Sequence, residues 1–258
     1  MKHFVLTLIA STTLLTPAMG QSQVTAVSTN TAKLNIEALQ NQEQTARLSR
    51  YLLAGYNTLC LPLSLTADQV AAAAKDVRIE RLAAIKEEGG ALKLYFVDCT
   101  AEGIQAGVPY LVYSSTTQYL RADNTDALTI DAKLKAIRLS DDEGNQVTFS
   151  SSWESLAKEG RYGIPAQQAV TPLESVLIRT EGDKQFLPTR CGFSWDRQSA
   201  TARELKIEHS ATMDEVTAIV GIENVKAAAD YYDLSGRKVS GQARKGVFIT
   251  GGDKVLVK

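Results

Sequence analysis

Hydrophobic and polar residues alternate over short runs along most of the chain, which is the pattern of half-buried β-strands. The clearest run is 58–65, in which every second residue from Leu59 is a leucine. Pro62 within this run has no backbone N–H, so we expect an edge strand or a strand with a bulge. Further strands are predicted at 79–85, 92–97, 110–113, 134–139, 146–149, 160–164, 175–179, 185–187, 191–195 and 204–208.

Residues that favour turns separate these runs. Gly89-Gly90 and the segment 141–145 are typical of hairpin turns. Many short strands joined by turns favour a mostly β protein, an antiparallel β-sandwich of the immunoglobulin-like or a related type. A split α+β domain is the alternative if 31–53 and 65–75 are packed helices, and in the second of these Thr66 and Gln69 have the spacing of a capping box.

The first twenty residues have the pattern of a secretory signal peptide. Lys2 and His3 give a positive start, residues 4–15 are mostly apolar, and small residues precede Gln21. A buried N-terminal helix is the alternative. The apolar run is shorter than the about 20 residues that span a bilayer. No later segment is long and apolar enough either, so the exported chain is predicted to have no transmembrane segment.

The chain after the signal peptide divides into four predicted segments. Residues 21–55 form a leader with a possible helix, and residues 56–210 form the β-sandwich domain. A linker at 211–230 precedes a small C-terminal β module at 231–258. Three strands are predicted there, at 229–233, 247–250 and 254–257. The alternative for this tail is a hairpin that completes the sandwich.

The tail carries a motif, Tyr-Asp-Leu-x-Gly-Arg-x-Val followed by Lys-Gly-x-Phe-Ile and a final hydrophobic strand that ends at a lysine. The motif consists of Tyr232, Asp233, Leu234, Gly236, Arg237, Val239, Lys245, Gly246, Phe248, Ile249, Val255, Val257 and Lys258. It resembles the C-terminal segment of many secreted Bacteroidota proteins, which is similar to the sorting domains of type IX secretion. The resemblance implies contact with that machinery and a surface or extracellular location, with the periplasm as the alternative.

A looser resemblance covers the region before the tail. The segments Tyr56–Leu63, Gly103–Val112 and Leu187–Phe193 are similar to parts of uncharacterised surface proteins of the same bacteria that have β-sandwich modules. This resemblance implies a fold and a location. It transfers no catalytic residue.

Composition and charge narrow the classes of partner. The 258 residues include 28 basic and 29 acidic side chains, for a net charge of −1, which excludes a broad basic surface for nucleic acid. Aromatic residues make up 7% of the chain, which argues against a rich stacking surface for sugars or bases.

The sequence contains no catalytic motif, and we predict neither enzymatic activity nor a cofactor. His209 is the only histidine after the signal peptide, so a metal site built on several histidines has too few ligands. A Cys191–His209 dyad would require a geometry that the sequence does not give. The acidic segment 141–145 offers oxygen ligands for calcium, but a solvated hairpin turn explains the same residues.

The three cysteines, Cys60, Cys99 and Cys191, leave two interpretations open. An oxidising compartment permits one disulfide, and Cys60 and Cys99 both lie in strand-like runs that can face each other across a sheet. The other interpretation is that all three are small buried hydrophobic residues, which we favour.

Trp153, Tyr162 and Trp195 are the candidate ligand-binding residues, because they are the large aromatic side chains best able to form a contact surface. Core packing is the alternative role for each. The resulting hypothesis is a non-catalytic secreted or cell-surface binding or adhesion module for a glycan or protein ligand. The alternatives are a secreted hydrolase that depends on two carboxylates facing each other across a cleft, and a structural subunit of a surface assembly.

Overall fold

The computed structural model describes residues 24–41, 43–124, 129–157, 159–164, 177–181, 185–210 and 212–220, together with the backbone of four short strands between 231 and 257. The predicted signal peptide lies outside the described residues. Of the predicted sorting motif, Asp233, Leu234, Gly236, Arg237, Lys245 and Lys258 also lie outside them.

The described part of the chain consists mainly of short strands. In chain order its first half contains β1 (Thr25–Ser28), α1 (Ile36–Gln40), β2 (Ala46–Leu52), β3 (Gly55–Leu59), α2 (Ala67–Ala73), β4 (Val77–Glu88), β5 (Ala91–Asp98), a short 3-10 helix (Thr100–Glu102), β6 (Tyr110–Ser114) and β7 (Gln118–Asp123). The second half contains β8 (Ile137–Ser140), β9 (Gln146–Ser151), β10 (Leu156–Ala157), β11 (Tyr162–Gly163), β12 (Ile178–Arg179), β13 (Gln185–Phe186), β14 (Cys191–Asp196), β15 (Glu204–Ser210) and α3 (Met213–Val220). The tail contains β16 (Tyr231–Tyr232), β17 (Lys238–Val239), β18 (Gly246–Thr250) and β19 (Asp253–Val257).

The described strands form five sheets. Sheet A has the order β15-β5-β4-β6-β3, sheet B has the order β12-β11-β14-β9-β8, and sheet C has the order β1-β2-β7. A two-stranded sheet joins β10 to β13, and the tail sheet has the order β17-β16-β18-β19. Most pairs are antiparallel, so the mostly β, mostly antiparallel class is confirmed. Two pairs among the described strands are parallel, β1 with β2 and β5 with β15, and in each case a long stretch of chain rather than a hairpin separates the two strands.

Sheets A and B share one hydrophobic core, called core 1. Three phenylalanines form its centre, Phe96 from sheet A and Phe149 and Phe193 from sheet B. The rings of Phe149 and Phe193 are stacked with centroids 4.3 Å apart, and Phe96 meets both rings edge-on at 5.9 and 6.2 Å. Successive side chains of a strand point to opposite faces, so the alternating runs of the sequence place their apolar residues in this core.

A second core, core 2, lies between sheet C and the opposite face of sheet A. Leu48 and Leu52 of β2 pack there with Leu59 and with the leucines that follow it in the chain. The boundary predicted at Tyr56, between the leader and the β-sandwich domain, therefore separates residues that pack together in core 2. The alternating leucines at 59, 61, 63 and 65 are all buried, but only Leu59 belongs to a regular strand, because the chain beyond it forms isolated bridges to Ile104 and Ile130.

The helices of the described residues are few and short. The segment 31–53, predicted as helical or mixed, forms only α1 before it becomes β2. The capping box predicted at Thr66 and Gln69 is confirmed at the start of α2. The segment predicted as a linker contains α3, whose Val216 is buried against Ala84 and Val97 of sheet A. No helix in the described part of the chain is long and apolar enough to cross a membrane.

The tail forms a sheet of its own. The predicted strands at 247–250 and 254–257 are present as β18 and β19, which form an antiparallel pair in which Thr250 faces Asp253. Tyr231 and Tyr232 form β16 within the predicted strand 229–233, and the short β17 was not predicted.

One two-stranded ribbon links sheets A and C, and it places the candidate site described below. Strand β2 continues into β3, and β6 continues into β7. Along the ribbon, β2 pairs with β7 in sheet C and β3 pairs with β6 in sheet A. The ribbon bends at residues 53–54, where the Asn57 side chain donates to the Leu53 carbonyl oxygen at 2.8 Å and accepts from the Leu53 N–H at 3.0 Å. This closed pair of hydrogen bonds fixes the bend.

Candidate functional site

The three aromatic residues predicted to bind a ligand contribute to the cores. Trp153 is partly buried against both cores, and its indole Nε1 donates to the Ala132 carbonyl oxygen at 2.6 Å. Tyr162 and Trp195 pack against core 1 with ring centroids 6.0 Å apart. Among the described residues, the buried Nε1 of Trp195 has no hydrogen-bond partner. A role for these residues in ligand contact stays a prediction.

The three cysteines are free and buried, as the second interpretation of the sequence expected. Cys60 and Cys191 lie in core 1 and Cys99 lies in core 2, so a pairing of Cys60 with Cys99 across one sheet is not formed. Burial raises the pKa of the Cys60 and Cys99 thiols to about 12 and raises that of Cys191 well above its ordinary value. Because the thiolate is the nucleophilic form, these cysteines are unsuited to catalysis at neutral pH.

The acidic segment 141–145 forms a hairpin turn held together by Asn145. Its side chain donates to Asp141 Oδ2 at 2.8 Å and to Glu87 Oε2 at 3.1 Å, and it accepts from the backbone N–H groups of Gln198 and Ser199. These contacts use the hydrogen-bonding capacity of the amide within the protein. No group of three or more metal-ligating side chains is present among the described residues.

Four tyrosines form two cross-strand pairs on the bent ribbon. Tyr51 of β2 faces Tyr119 of β7 in sheet C, with ring centroids 5.0 Å apart and an interplanar angle of 56°. On the other side of the bend, Tyr56 of β3 faces Tyr113 of β6 in sheet A, at 5.2 Å and 62°. These are tilted and edge-on arrangements that aromatic pairs favour.

All four rings lie on the side of the ribbon that faces away from core 2. Leu52, Leu120 and Val112 are buried in core 2, and Tyr51, Tyr119 and Tyr113 are their neighbours in sequence, so their side chains point the other way. The exposed fractions of Tyr51, Tyr119 and Tyr113 are 42%, 45% and 37%, whereas Tyr56 is partly buried.

Two arginines stand over these rings. The guanidinium carbon of Arg121 lies 4.8 Å from the Tyr119 ring centroid, and that of Arg78 lies 5.5 Å from Tyr113 and 5.9 Å from Tyr56. Such contacts are cation–π interactions. We call the set formed by Tyr51, Tyr56, Tyr113, Tyr119, Arg78 and Arg121 the tyrosine face.

A buried carboxylate supports the sheet A half of the tyrosine face. The Glu80 side chain is only 2% exposed, and it accepts hydrogen bonds from Arg78 Nε at Oε1 and from His209 Nδ1 at Oε2, both at 2.7 Å. The His209 ring is stacked on the Tyr56 ring with centroids 4.4 Å apart. Arg78 also donates to the Tyr56 hydroxyl oxygen. The four side chains therefore hold one another in place.

The ionisation of this cluster follows from its contacts. Burial and the negative charge of Glu80 raise the pKa of Tyr56 to about 12, against the opposing effect of Arg78. Burial is the largest single effect on Arg78 and lowers its pKa, but the negative charge of Glu80, its hydrogen bond to Arg78 and the electrostatic effects of Tyr56 and Asp98 together outweigh burial, so the net pKa is raised. At neutral pH Tyr56 is thus a neutral phenol and Arg78 a cation, which suits recognition by hydrogen bonding and stacking.

Three comparisons with known proteins leave the chain without an assigned family. A scan against family models found no match, and neither did searches of curated proteins and of solved structures. Function is therefore inferred from the geometry and chemistry of the site.

Proposed function

We propose that this chain is a non-catalytic binding module that holds a glycan or protein ligand on the tyrosine face. The observation that carries the proposal is that the outer side of the bent ribbon bears two tyrosine pairs, one on each side of the bend, each with an arginine over one or both of its rings. Tyrosine and arginine are enriched among the residues that dominate binding energy, because they combine a large contact area with polar groups.

The rigidity of the ribbon supports a binding role. Its strands are backed by core 2, its bend is fixed by Asn57, and Glu80 fixes Arg78 and His209 from beneath. Residues held in place before binding lose little conformational freedom when a ligand arrives.

Export and surface location form part of the same proposal. The signal-peptide pattern of residues 1–20 and the motif of the tail support a secreted or cell-surface protein, with the tail in contact with the secretion machinery. The face-to-face packing of sheets A and B supports the sandwich arrangement, of an immunoglobulin-like or related type.

The two alternative proposals are a carboxylate-dependent hydrolase and a structural subunit. A glycosidase-type mechanism needs one carboxyl group to protonate a leaving group and a second to attack or activate water. Both oxygens of Glu80 already accept hydrogen bonds within the protein, so this carboxylate is committed to fixing Arg78 and His209. The geometry of the tyrosine face therefore favours binding over hydrolysis.

A double substitution tests the proposal. We expect the chain from residue 21 to bind saturably, without turnover, to members of a glycan array or to a protein of a bacterial surface extract. Replacing both Tyr51 and Tyr119 by Ala should weaken that binding by about tenfold or more, since aromatic anchors at binding surfaces commonly contribute about 2 kcal/mol or more. Titration of the bound component with wild-type and variant protein measures the effect.

The matched control is Ile178→Ala, which removes an exposed apolar side chain (51% exposed) from sheet B. This variant should bind like the wild type. Equal loss in both variants, or wild-type binding by the double variant, would contradict the assignment of the surface. Release of a cleaved product would contradict the non-catalytic role. Circular dichroism of each variant confirms that the fold is retained.

A further inference from the structure

The sheet C half of the tyrosine face has three cross-strand pairs in a row on its outer side. Along β2 and β7 these are Arg47 with Asp123, Ser49 with Arg121, and Tyr51 with Tyr119. The residues between them point into core 2 or are otherwise buried, so the three pairs define one outward surface. The row thus runs from an ion pair, through a serine and an arginine, to an exposed aromatic pair.

The charge on this surface is not balanced. Arg47 and Asp123 form a two-pronged ion pair with N–O distances of 2.6 and 2.7 Å, and the hydrogen bond and positive charge of Arg47 lower the pKa of Asp123. The next arginine along β7, Arg121, is exposed and contacts the face of the Tyr119 ring. Within the described part of the chain, Arg121 has no carboxylate partner. The surface therefore presents one uncompensated guanidinium beside two tyrosine rings.

The shape of this surface also favours binding of a ligand between Arg47 and Tyr51. Ser49 lies between Arg47 and Tyr51 along β2, and its small side chain leaves the Tyr51 ring standing above its neighbour. The residue paired with Ser49 on β1 is Ser28, so the low area continues onto the next strand. Residues two apart in a strand are separated by about 7 Å. Arg47 and Tyr51 are four residues apart in β2, so about 13 Å separates them, and the low area over Ser49 between them can hold a single pyranose ring.

We infer that the ligand of the tyrosine face is an acidic glycan, whose pyranose ring packs against Tyr51 and whose carboxylate or sulfate group pairs with Arg121. This inference rests on the proposed function and specifies its ligand. Guanidinium groups bind planar carboxylates through two parallel hydrogen bonds, and aromatic rings contact the apolar face of a sugar. A neutral glycan would leave Arg121 without an anionic partner. The small Ser49 lies between the Tyr51 ring and Arg47, so the outward side chains form a shallow, open surface. A protein side chain is usually anchored in a deep pocket instead.

The experiment compares acidic oligosaccharides with their neutral counterparts. The panel contains oligomers of galacturonate, glucuronate and mannuronate with their methyl esters, and sulfated galactans with their desulfated forms, each titrated against the chain from residue 21. We expect at least one acidic member to bind, and its neutral counterpart to bind at least about tenfold more weakly, because hydrogen bonds between an arginine and a carboxylate are stronger than those between neutral groups. Arg121→Gln should remove this preference.

The matched control is Arg138→Gln, which removes an exposed arginine from β8 of sheet B and should leave the preference unchanged. Equal binding of acidic and neutral members, or a preference that persists in Arg121→Gln, would overturn the inference and leave the proposed function standing. Binding of a protein from a surface extract, with no panel member bound, would also overturn the inference and leave the proposed function standing. Absence of both kinds of binding would overturn the inference and the proposed function together.

Discussion

Replacement of Phe193 by Ala is expected to lower the free energy of unfolding by about 3–5 kcal/mol, the usual cost of truncating a buried phenylalanine. Phe193 is fully buried at the centre of core 1, where it stacks on Phe149 and meets Phe96 edge-on. Its removal takes away apolar contacts from both five-stranded sheets and leaves a cavity that neighbouring rings fill only in part.

Urea denaturation of the chain from residue 21, followed by circular dichroism, measures this loss. The control is the exposed Ile178→Ala, for which the change should stay within about 0.5 kcal/mol. A loss below 1 kcal/mol for Phe193→Ala would mean that the two sheets do not share this core.

Replacement of Asn124 by Ala is expected to cost about 3–5 kcal/mol, through hydrogen bonds rather than through packing. The Asn124 side chain is buried after the end of β7 and holds the connection between α1 and β2. Its Oδ1 accepts from the Ala46 N–H at 2.8 Å, and its Nδ2 donates to the carbonyl oxygens of Leu39, Asn41 and Gln44 at 3.3, 2.8 and 3.0 Å. The variant leaves these backbone groups without their partner.

The matched control is Asn41→Ala, whose side chain accepts one exposed hydrogen bond from the Glu43 N–H. This change should cost less than about 1 kcal/mol. Denaturation measures both variants, and amide exchange at Ala46 adds a local readout, since that N–H should exchange faster in Asn124→Ala. Equal stability of the two variants would show that the buried network is not needed.

Strands with a clear run of apolar residues were predictable from the sequence, whereas β2, which has a charged residue on its buried side, was not. The predicted strand 92–97 falls within β5, whose side chains are buried on both faces. Strand β2 lies in the segment 31–53, for which the sequence predicts a helix or mixed structure; Leu48 and Leu52 are four residues apart, a spacing that fits a helix as well as a strand. The residue midway between them, Arg50, conceals the alternation because it is charged.

Arg50 is nevertheless buried, only 4% exposed, on the core side of β2. Its guanidinium donates to the carbonyl oxygens of Tyr51 and Thr58, which lie on either side of the bend. Burial, together with the positive charge of Arg190, lowers the pKa of Arg50 to about 9. The strand is thus built around an inward-pointing arginine, and no periodicity of apolar residues reveals such a strand.

The candidate site, too, was beyond what the pattern of apolar residues can predict. The aromatic fraction of 7% predicted no rich stacking surface, but the fold gathers four of the nine tyrosines at one bend. Two of them, Tyr51 and Tyr119, lie in strands that the hydrophobic pattern did not identify. The tryptophans stood out because of their size, and large side chains are often used to fill cores. Composition gives the number of aromatic rings, whereas their grouping depends on the register of β2 with β7 and of β3 with β6.

The central claim is that the tyrosine face is the ligand-binding surface, and NMR of ring-labelled tyrosines tests it most directly. The nine tyrosines are assigned by single Tyr→Phe variants, and the tightest-binding component from the array, the acidic panel or the surface extract is then titrated into the wild-type chain. We predict that the ring signals of Tyr51 and Tyr119 shift most, those of Tyr56 and Tyr113 shift less, and those of the buried Tyr95 and Tyr110 stay in place. Shifts centred on Tyr162, or saturation of binding with all four signals of the tyrosine face unmoved, would contradict the claim.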